Sequence, residues 1–299
     1  MTRQQVRRRV ESGRWRRLHR GVYCRTVHWD QGDHRARHLL LAAAAQSISP
    51  HAWRLSHATA AVCLGLPMPF APAPVWQTRP RGGPTRYLNG RRLLVAPLPA
   101  LHAELLEIGW VTSLPRTVAD CLRHLATEDA LAIGDAALHR TPDLRPVVAE
   151  VLAACAGWPY AERGSERLLR LDGRRESPLE SLSAVVMHGG GVPEPEAQAL
   201  LYDDRGLVGR TDFWWHERCV VGEVDGLVKY DVAASVRDAR AALLAEKARE
   251  ERLWRMGAHV ARWGMKELRS PGFAGWLRRE LALGDPARFR GRVVLSPRL

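Results

Sequence analysis

The chain has 299 residues, enough for two domains and a small third, and 46% of them are apolar, which excludes wholesale disorder. Its net charge of +13 and isoelectric point near 10.5 point to an anionic partner, of which nucleic acid is the commonest. No apolar run approaches the ~18 residues of a membrane span, so no membrane association is expected.

The arginine-rich N-terminus lacks the apolar stretch of a secretory leader. Cys24, Cys63, Cys121, Cys155 and Cys219 are odd in number and form no C-x-x-C pair. Reduced thiols, a cytoplasmic location and no structural zinc site are expected. The basic residues are 42 arginines and three lysines, Lys229, Lys247 and Lys266. Lysine can lose its proton in an active site and arginine cannot, so those three positions stand out.

Residues 1–25 carry nine arginines against one acid, Glu11. Thr2-Arg3-Gln4-Gln5 has capping-box spacing and predicts a helix from about residue 3, with Val6 and Val10 buried and Gly13 ending it. Trp15–Leu18, a His19-Arg20-Gly21 turn and Val22–Cys24 predict a tight hairpin. A basic helix followed by a basic hairpin matches the second half of a winged helix, which would bring Arg3, Arg7, Arg8, Arg9, Arg14, Arg16, Arg17 and Arg20 to DNA. A solvated basic arm is the alternative.

Residues 31–165 are Ala/Leu-rich and predict a mainly helical middle region. Prolines 67, 69, 72, 74, 80 and 84 interrupt it, short strands are expected at 77–79 and 91–96, and two helices between Leu114 and Leu138. A third domain is expected over 166–285, followed by a loose tail, 286–299.

Ser177-Pro178-Leu179-Glu180 starts a helix, with Ser at the N-cap, Pro at N1 and Glu at N3, and Glu180 reads equally well as a capping-box acid. Downstream, Leu207–Trp215 and Cys219–Asp225 predict two strands. Period-two alternation puts Val208, Arg210, Asp212 and Trp214 on one face of the first, and Cys219, Val221, Glu223 and Asp225 on one face of the second. A hairpin turning about Glu217-Arg218 pairs Trp214 with Val221 and Asp212 with Glu223. Facing carboxylates repel unless a hard divalent cation lies between them; pairing with arginine or exposure to solvent is the alternative. A long helix from Val236 to Met256, a strand Val260–Trp263 and a short helix from Met265 complete a mixed sheet flanked by helices, so the chain as a whole is α/β.

Ser177-Pro178-Leu179-Glu180-Ser181, Gly209-Arg210-Thr211-Asp212, Val221-Gly222-Glu223-Val224-Asp225-Gly226 with Lys229-Tyr230, Glu246-Lys247-x-Arg249-Glu250 and Ala261-Arg262-Trp263 resemble, in this order, the PD-(D/E)XK nuclease superfamily. The nearer resemblance is to its bacterial branch related to the very-short-patch mismatch-repair endonucleases. The N-terminal run, Gln4-Gln5-Val6 to Trp15 with Arg20-Gly21-Val22-Tyr23, resembles the winged helix of AbiEi-type antitoxins and begins at its recognition helix. Ser56-His57-x-x-Ala60-Ala61, Gly65-Leu66-Pro67 and Ser113-x-Pro115-Arg116-Thr117-x-x-Asp120 resemble the intervening region of the same proteins.

The resemblance implies a restriction-endonuclease-like domain after a partial winged helix. Asp212, Glu223 and Glu180 would bind Mg²⁺ or Mn²⁺ for phosphodiester hydrolysis in DNA. Asp225 stands where the superfamily usually has lysine, so it is grouped with the catalytic set beside Lys229 and Lys247, the candidates for a migrated lysine. Arg210 and Arg249 are candidate phosphate or carboxylate partners. The competing expectation is a non-catalytic antitoxin-like regulator with a degenerate nuclease fold, bound to DNA and to a cognate toxin. A metalloprotease is set aside: His34 and His38 are four apart, but no H-E-x-x-H is present.

Overall fold

The computed structural model describes residues 1–70, 74–225 and 236–297, and of 236–243 the backbone alone. Contacts divide the chain into two compact units, Met1–Leu171 and Asp172–Leu299. Each is α/β. Among the described residues no helix is long and apolar enough to cross a membrane.

Unit 1 opens with α1 (Arg3–Glu11), whose N-terminus carries both halves of the expected capping box. The Gln5 amide donates to Thr2 Oγ1 at 3.3 Å, and the Thr2 amide donates to Gln5 Oε1 at 2.9 Å. Gly13, at φ +68, turns the chain into the hairpin of β1 (Trp15–His19) and β2 (Val22–Arg25). Val6 is half-buried and Val10 exposed, so α1 lacks the buried face its periodicity predicts. Its neighbour is one short strand, β1, which is too small to cover a helix.

Next come α2 (Thr26–Gln31) and α3 (His34–Ser47), the latter packed on β1 and β2, so residues 1–30 form one unit with those that follow. Then β3 (Arg54–Leu55), α4 (His57–Cys63), β4 (Val75–Arg79), β5 (Arg86–Leu88), β6 (Arg91–Val95), β7 (Ala103–Leu106) and β8 (Gly109–Thr112) build a six-stranded sheet in the order β5-β6-β4-β3-β8-β7. The middle region is mainly helical, as expected, and carries this sheet as well. The expected strands are β4 and β6. Of the others, β3 and β5 have two and three residues, too short to show alternation. Four helices follow, α5 (Leu114–His124), α6 (Thr127–Arg140), α7 (Leu144–Ala154) and α8 (Ala161–Leu169). The core between sheet and helices includes Ala42, Ala45, Leu55, Ala60, Val75 and Val111.

Unit 2 comprises α9 (Pro178–Gly189), β9 (Glu196–Asp203), β10 (Gly206–Trp215), β11 (Val220–Val224), α10 (Val236–Arg255), β12 (His259–Trp263), α11 (Met265–Leu268), α12 (Phe273–Ala282) and β13 (Arg292–Val294). Its mixed sheet runs β12-β11-β10-β9-β13. Only β11 and β12 are parallel, as strands joined through a helix such as α10 can be. Val208, Trp214 and Val221 on one face bury against Leu253 of α10 and Met256 just after it. On the other face Phe213 stacks on Trp263, whose indole N–H donates to Ser183 of α9 at 2.9 Å. The expected loose tail is corrected too: β13 adds an antiparallel edge to β9, and Val293 packs into the core.

Candidate functional site

The hairpin of β10 and β11 has the register its alternation predicts, with Trp214 opposite Val221 and Phe213 opposite Gly222. The pairing ends at Phe213 and Gly222, and Asp212 and Glu223 are the next residues beyond it, where the Val224 amide donates to Asp212 Oδ2. On the far side of β10, Ala197 lies opposite Phe213 and Ala199 opposite Thr211, which brings Gln198 beside Asp212. Gln198 has φ +55, a left-handed conformation rare for a residue with a Cβ. Glu223, Asp212 and Gln198 thus form a row across three strands. Glu180, from the first turn of α9, closes the row at the Gln198 end.

Each member is held by specific bonds. Glu180 is 5% exposed. Its Oε2 accepts from Gln198 Nε2 at 2.9 Å and from the Glu176 amide at 3.0 Å. A capping-box acid would take the Ser177 amide, so only the Ser177 half of that motif is present, its Oγ accepting from the Glu180 amide at 3.2 Å. Asp212 Oδ2 accepts from the Val224 amide at 2.7 Å. Glu223 Oε1 pairs with Arg249 Nη2 at 2.5 Å.

Arg249 also donates to Glu246 at 3.2 and 3.3 Å and to the Arg210 carbonyl at 3.2 Å. Its guanidinium passes so near β10 that a Cβ on Gly209 would lie 2.7 Å from Nε. Arg262 of β12 binds Glu246 at 2.5 Å, and the half-exposed Arg210 binds Glu176 at 2.7 Å.

Burial raises the pKa of all three carboxyl groups. For Glu223 the shift is largest, to about 7; the nearby Asp212 charge adds to it and Arg249 opposes it. Glu180 is raised by burial and further by Asp212, against the hydrogen bonds it accepts. Asp212 is raised by burial, against the Val224 amide and the charges of Arg249 and Arg210.

Other expected members are not brought to the row. Strand β11 ends at Val224, so Asp225 lies beyond it with an exposed side chain, its amide donating to the Trp263 carbonyl at 2.9 Å. Lys247 is exposed on α10. Two residues of α-helix turn a side chain by about 200°, which aims Lys247 away from the side that carries Arg249. Lys229 lies outside the described residues. Gln198 had no place in the sequence reading, although one long polar side chain within Ala197-Gln198-Ala199-Leu200-Leu201 was a visible signal.

Among the described residues no group of three or more His, Cys, Asp or Glu side chains is arranged to hold a metal ion. The donors present are nonetheless of the right chemistry for a hard cation. Mg²⁺ is typically held by one or two carboxylates and keeps several waters, which Asp212 and Glu223 satisfy. Buried carboxylates with raised pKa values are short of positive charge, and Arg249 supplies one unit of it.

In unit 1, Arg3, Arg7, Arg8, Arg9, Arg14, Arg16, Arg17 and Arg20 are all exposed. Arg3, Arg7, Arg17 and Arg20 line an open groove between α1 and the hairpin turn, together with Val6, Tyr23 and Glu11, which pairs with Arg7 at 2.7 Å. Arg9 lies 4.9 Å from the Trp15 ring centre and Arg16 4.4 Å from that of Trp29, which pre-orders both cations.

No family model matches the chain, and no solved structure matches it. Two uncharacterized proteins of Mycobacterium tuberculosis, from two strains, are 32% identical to it over 111 residues. The match takes in 37% of this chain, which spans 41% of the length of these relatives. The likeness is partial.

Proposed function

We propose that the protein binds DNA and hydrolyses its phosphodiester bonds, with unit 2 as a restriction-endonuclease-like domain. The observation that carries this reading is the row Glu223, Asp212 and Gln198 closed by Glu180. Neighbouring carboxyl groups drawn partly out of water, such as Asp212 and Glu223, destabilise a fold, and a cation bound between them relieves them. Asp212 and Glu223 would hold Mg²⁺ or Mn²⁺, which when bound polarises a phosphate and acidifies a water. Glu180 and Gln198 fix each other and set the inner edge of the site. Arg249, released from Glu223, has a guanidinium suited to bidentate pairing with phosphate oxygens. The arginines of α1 and the hairpin in unit 1 supply sequence-independent affinity for the backbone.

The Arg249–Glu223 ion pair, together with Asp225 at the position where a catalytic lysine is usual, favours a second reading. There the protein is a non-catalytic, antitoxin-like DNA-binding regulator with a cognate toxin as its other partner. Cleavage of plasmid and oligonucleotide DNA with Mg²⁺ or Mn²⁺ separates the two. The first reading expects cutting that Asp212→Ala and Glu223→Ala both abolish. DNA binding without cutting, weakened when Arg7, Arg8 and Arg9 are replaced, would leave the regulator.

A further inference from the structure

Two motifs flagged in the sequence, Ser56-His57 and Arg116-Thr117-x-x-Asp120, meet in unit 1 around a cavity of about 310 Å³. Its lining includes His57, Arg116, Asp120, Arg123, His124 and Trp158. From these groups we propose that the cavity is a binding site for a small organic anion with a carboxylate or phosphate head.

Charge comes first. Arg116 and Arg123, 1% and 3% exposed, share one carboxylate, Asp120, at 2.9 and 3.1 Å. Further bonds hold both guanidiniums: Arg116 Nη1 with the Pro97 carbonyl and His102 Nδ1, each at 3.1 Å, and Arg123 Nη2 with the Pro159 carbonyl at 2.9 Å. Both lie 5.1 Å from the Trp158 ring centre. No hydrogen bond engages Arg116 Nη2 among the described residues. The cluster carries one net positive charge away from water, and a buried net charge calls for a counter-ion. His57 and His124 leave that balance unchanged, since burial keeps both neutral, His124 with a pKa of about 3.

An unmatched ring nitrogen comes second. Thr78 Oγ1 donates to Ser56 Oγ at 2.9 Å, and the Ser56 hydroxyl lies 3.0 Å from His57 Nδ1. The Ser56 hydroxyl has a second lone pair besides the one Thr78 occupies, so it can accept from or donate to Nδ1, and an anion that reaches Nε2 selects the tautomer with the N–H there. His57 is 2% exposed, and its Nε2 is buried with no hydrogen-bond partner among the described residues. The ring stacks on Trp76 at 4.6 Å and is held at φ +51, a left-handed backbone unusual outside glycine. A buried ring nitrogen without a partner is a rare feature that calls for a ligand or a water.

Size and access limit the occupant. With about 30 Å³ for each water-sized atom, the cavity takes on the order of ten non-hydrogen atoms. A nucleic-acid duplex cannot reach guanidiniums this deeply buried, whereas a compact anion with one flat face can lie against the histidine and indole rings.

The test is calorimetric titration of the full-length protein with benzoate, with inorganic phosphate, and with benzamide as the uncharged counterpart of benzoate. We expect saturable binding of one anion per chain, with benzamide at least tenfold weaker than benzoate. Benzoate in preference to phosphate assigns a carboxylate head, and the reverse a phosphate head. His57→Phe keeps a flat ring against Trp76 and removes the unpartnered ring nitrogen, and should weaken the anion at least tenfold. Val95→Trp, at an exposed lining position, should block entry, and it decides the matter alone if His57→Phe fails to fold. No saturable binding of either anion, equal binding of benzamide, or anion binding unchanged by Val95→Trp would each overturn the proposal.

Discussion

In unit 1, Arg116 and Arg123 share the single carboxylate of Asp120; in unit 2, Glu223 and Glu246 share the guanidinium of Arg249, while Asp212 accepts a backbone amide and Glu180 is held by neutral donors. One cluster buries an excess of cations and the other an excess of carboxyl groups. Burying charge without balance costs stability, and arrangements that persist despite that cost are where ligands of opposite sign bind. The two clusters differ in how they manage the excess. Guanidiniums cannot shed their charge, so unit 1 pins them with carbonyls and an indole face. Carboxyl groups can take up protons, so unit 2 raises their pKa values instead.

The largest expected effect breaks the balance in unit 1. Asp120→Ala leaves two buried guanidiniums without a carboxylate and should cost about 3–5 kcal/mol, read as an earlier transition in urea unfolding of the full chain. A loss well under 1 kcal/mol would show that carbonyls and Trp158 suffice.

In unit 2 the contrast predicts a dependence on pH. Glu223 titrates at about 7, and a cation must displace its proton. Mn²⁺ affinity should therefore rise about tenfold per pH unit below 7 and level off above it. Titrations between pH 5.5 and 8.5 read this directly, and a flat profile would remove Glu223 from the ligand set.

A smaller effect concerns stability. Asp212 has a raised pKa, so its charged form is the disfavoured one in the fold. A group raised on folding weakens the fold at pH values above its folded pKa, and that penalty disappears as pH falls. Asp212→Asn should accordingly raise the melting temperature at pH 8, with the gain shrinking in acid. Calorimetric melting at both pH values checks the sign. The smallest effect is in the N-terminal helix, where Thr2→Ala removes the cap of α1 at a cost of about 1 kcal/mol. That helix buries no residue, so helicity and DNA affinity should register the loss while the main melting transition stays put.

Parts of both clusters were legible in the sequence, for identifiable reasons. Alternation along 207–215, with a turn at 217–218, was enough to put Asp212 next to Glu223, because a strand's period is local. Ser177 and Pro178 likewise marked the start of α9. The reach of β11 was not legible: whether Asp225 joins Glu223 depends on the strand ending at Val224, which pairing with Trp263 decides. Gln198 enters through a left-handed φ that no pattern of residue types announces. In unit 1, Arg116 and Asp120 stand one helical turn apart and are visible as a pair, but their meeting with His57 depends on the six-stranded sheet. Its two- and three-residue strands carry no periodic signal.

The most direct test of the carboxylate row is a Mn²⁺ titration of the full-length protein, followed by electron paramagnetic resonance at pH 8. The account predicts one saturable Mn²⁺ per chain, lost in Asp212→Asn and in Glu223→Gln and weakened in Glu180→Gln. Saturable binding that survives both Asp212→Asn and Glu223→Gln, or none in the unaltered protein, would contradict it.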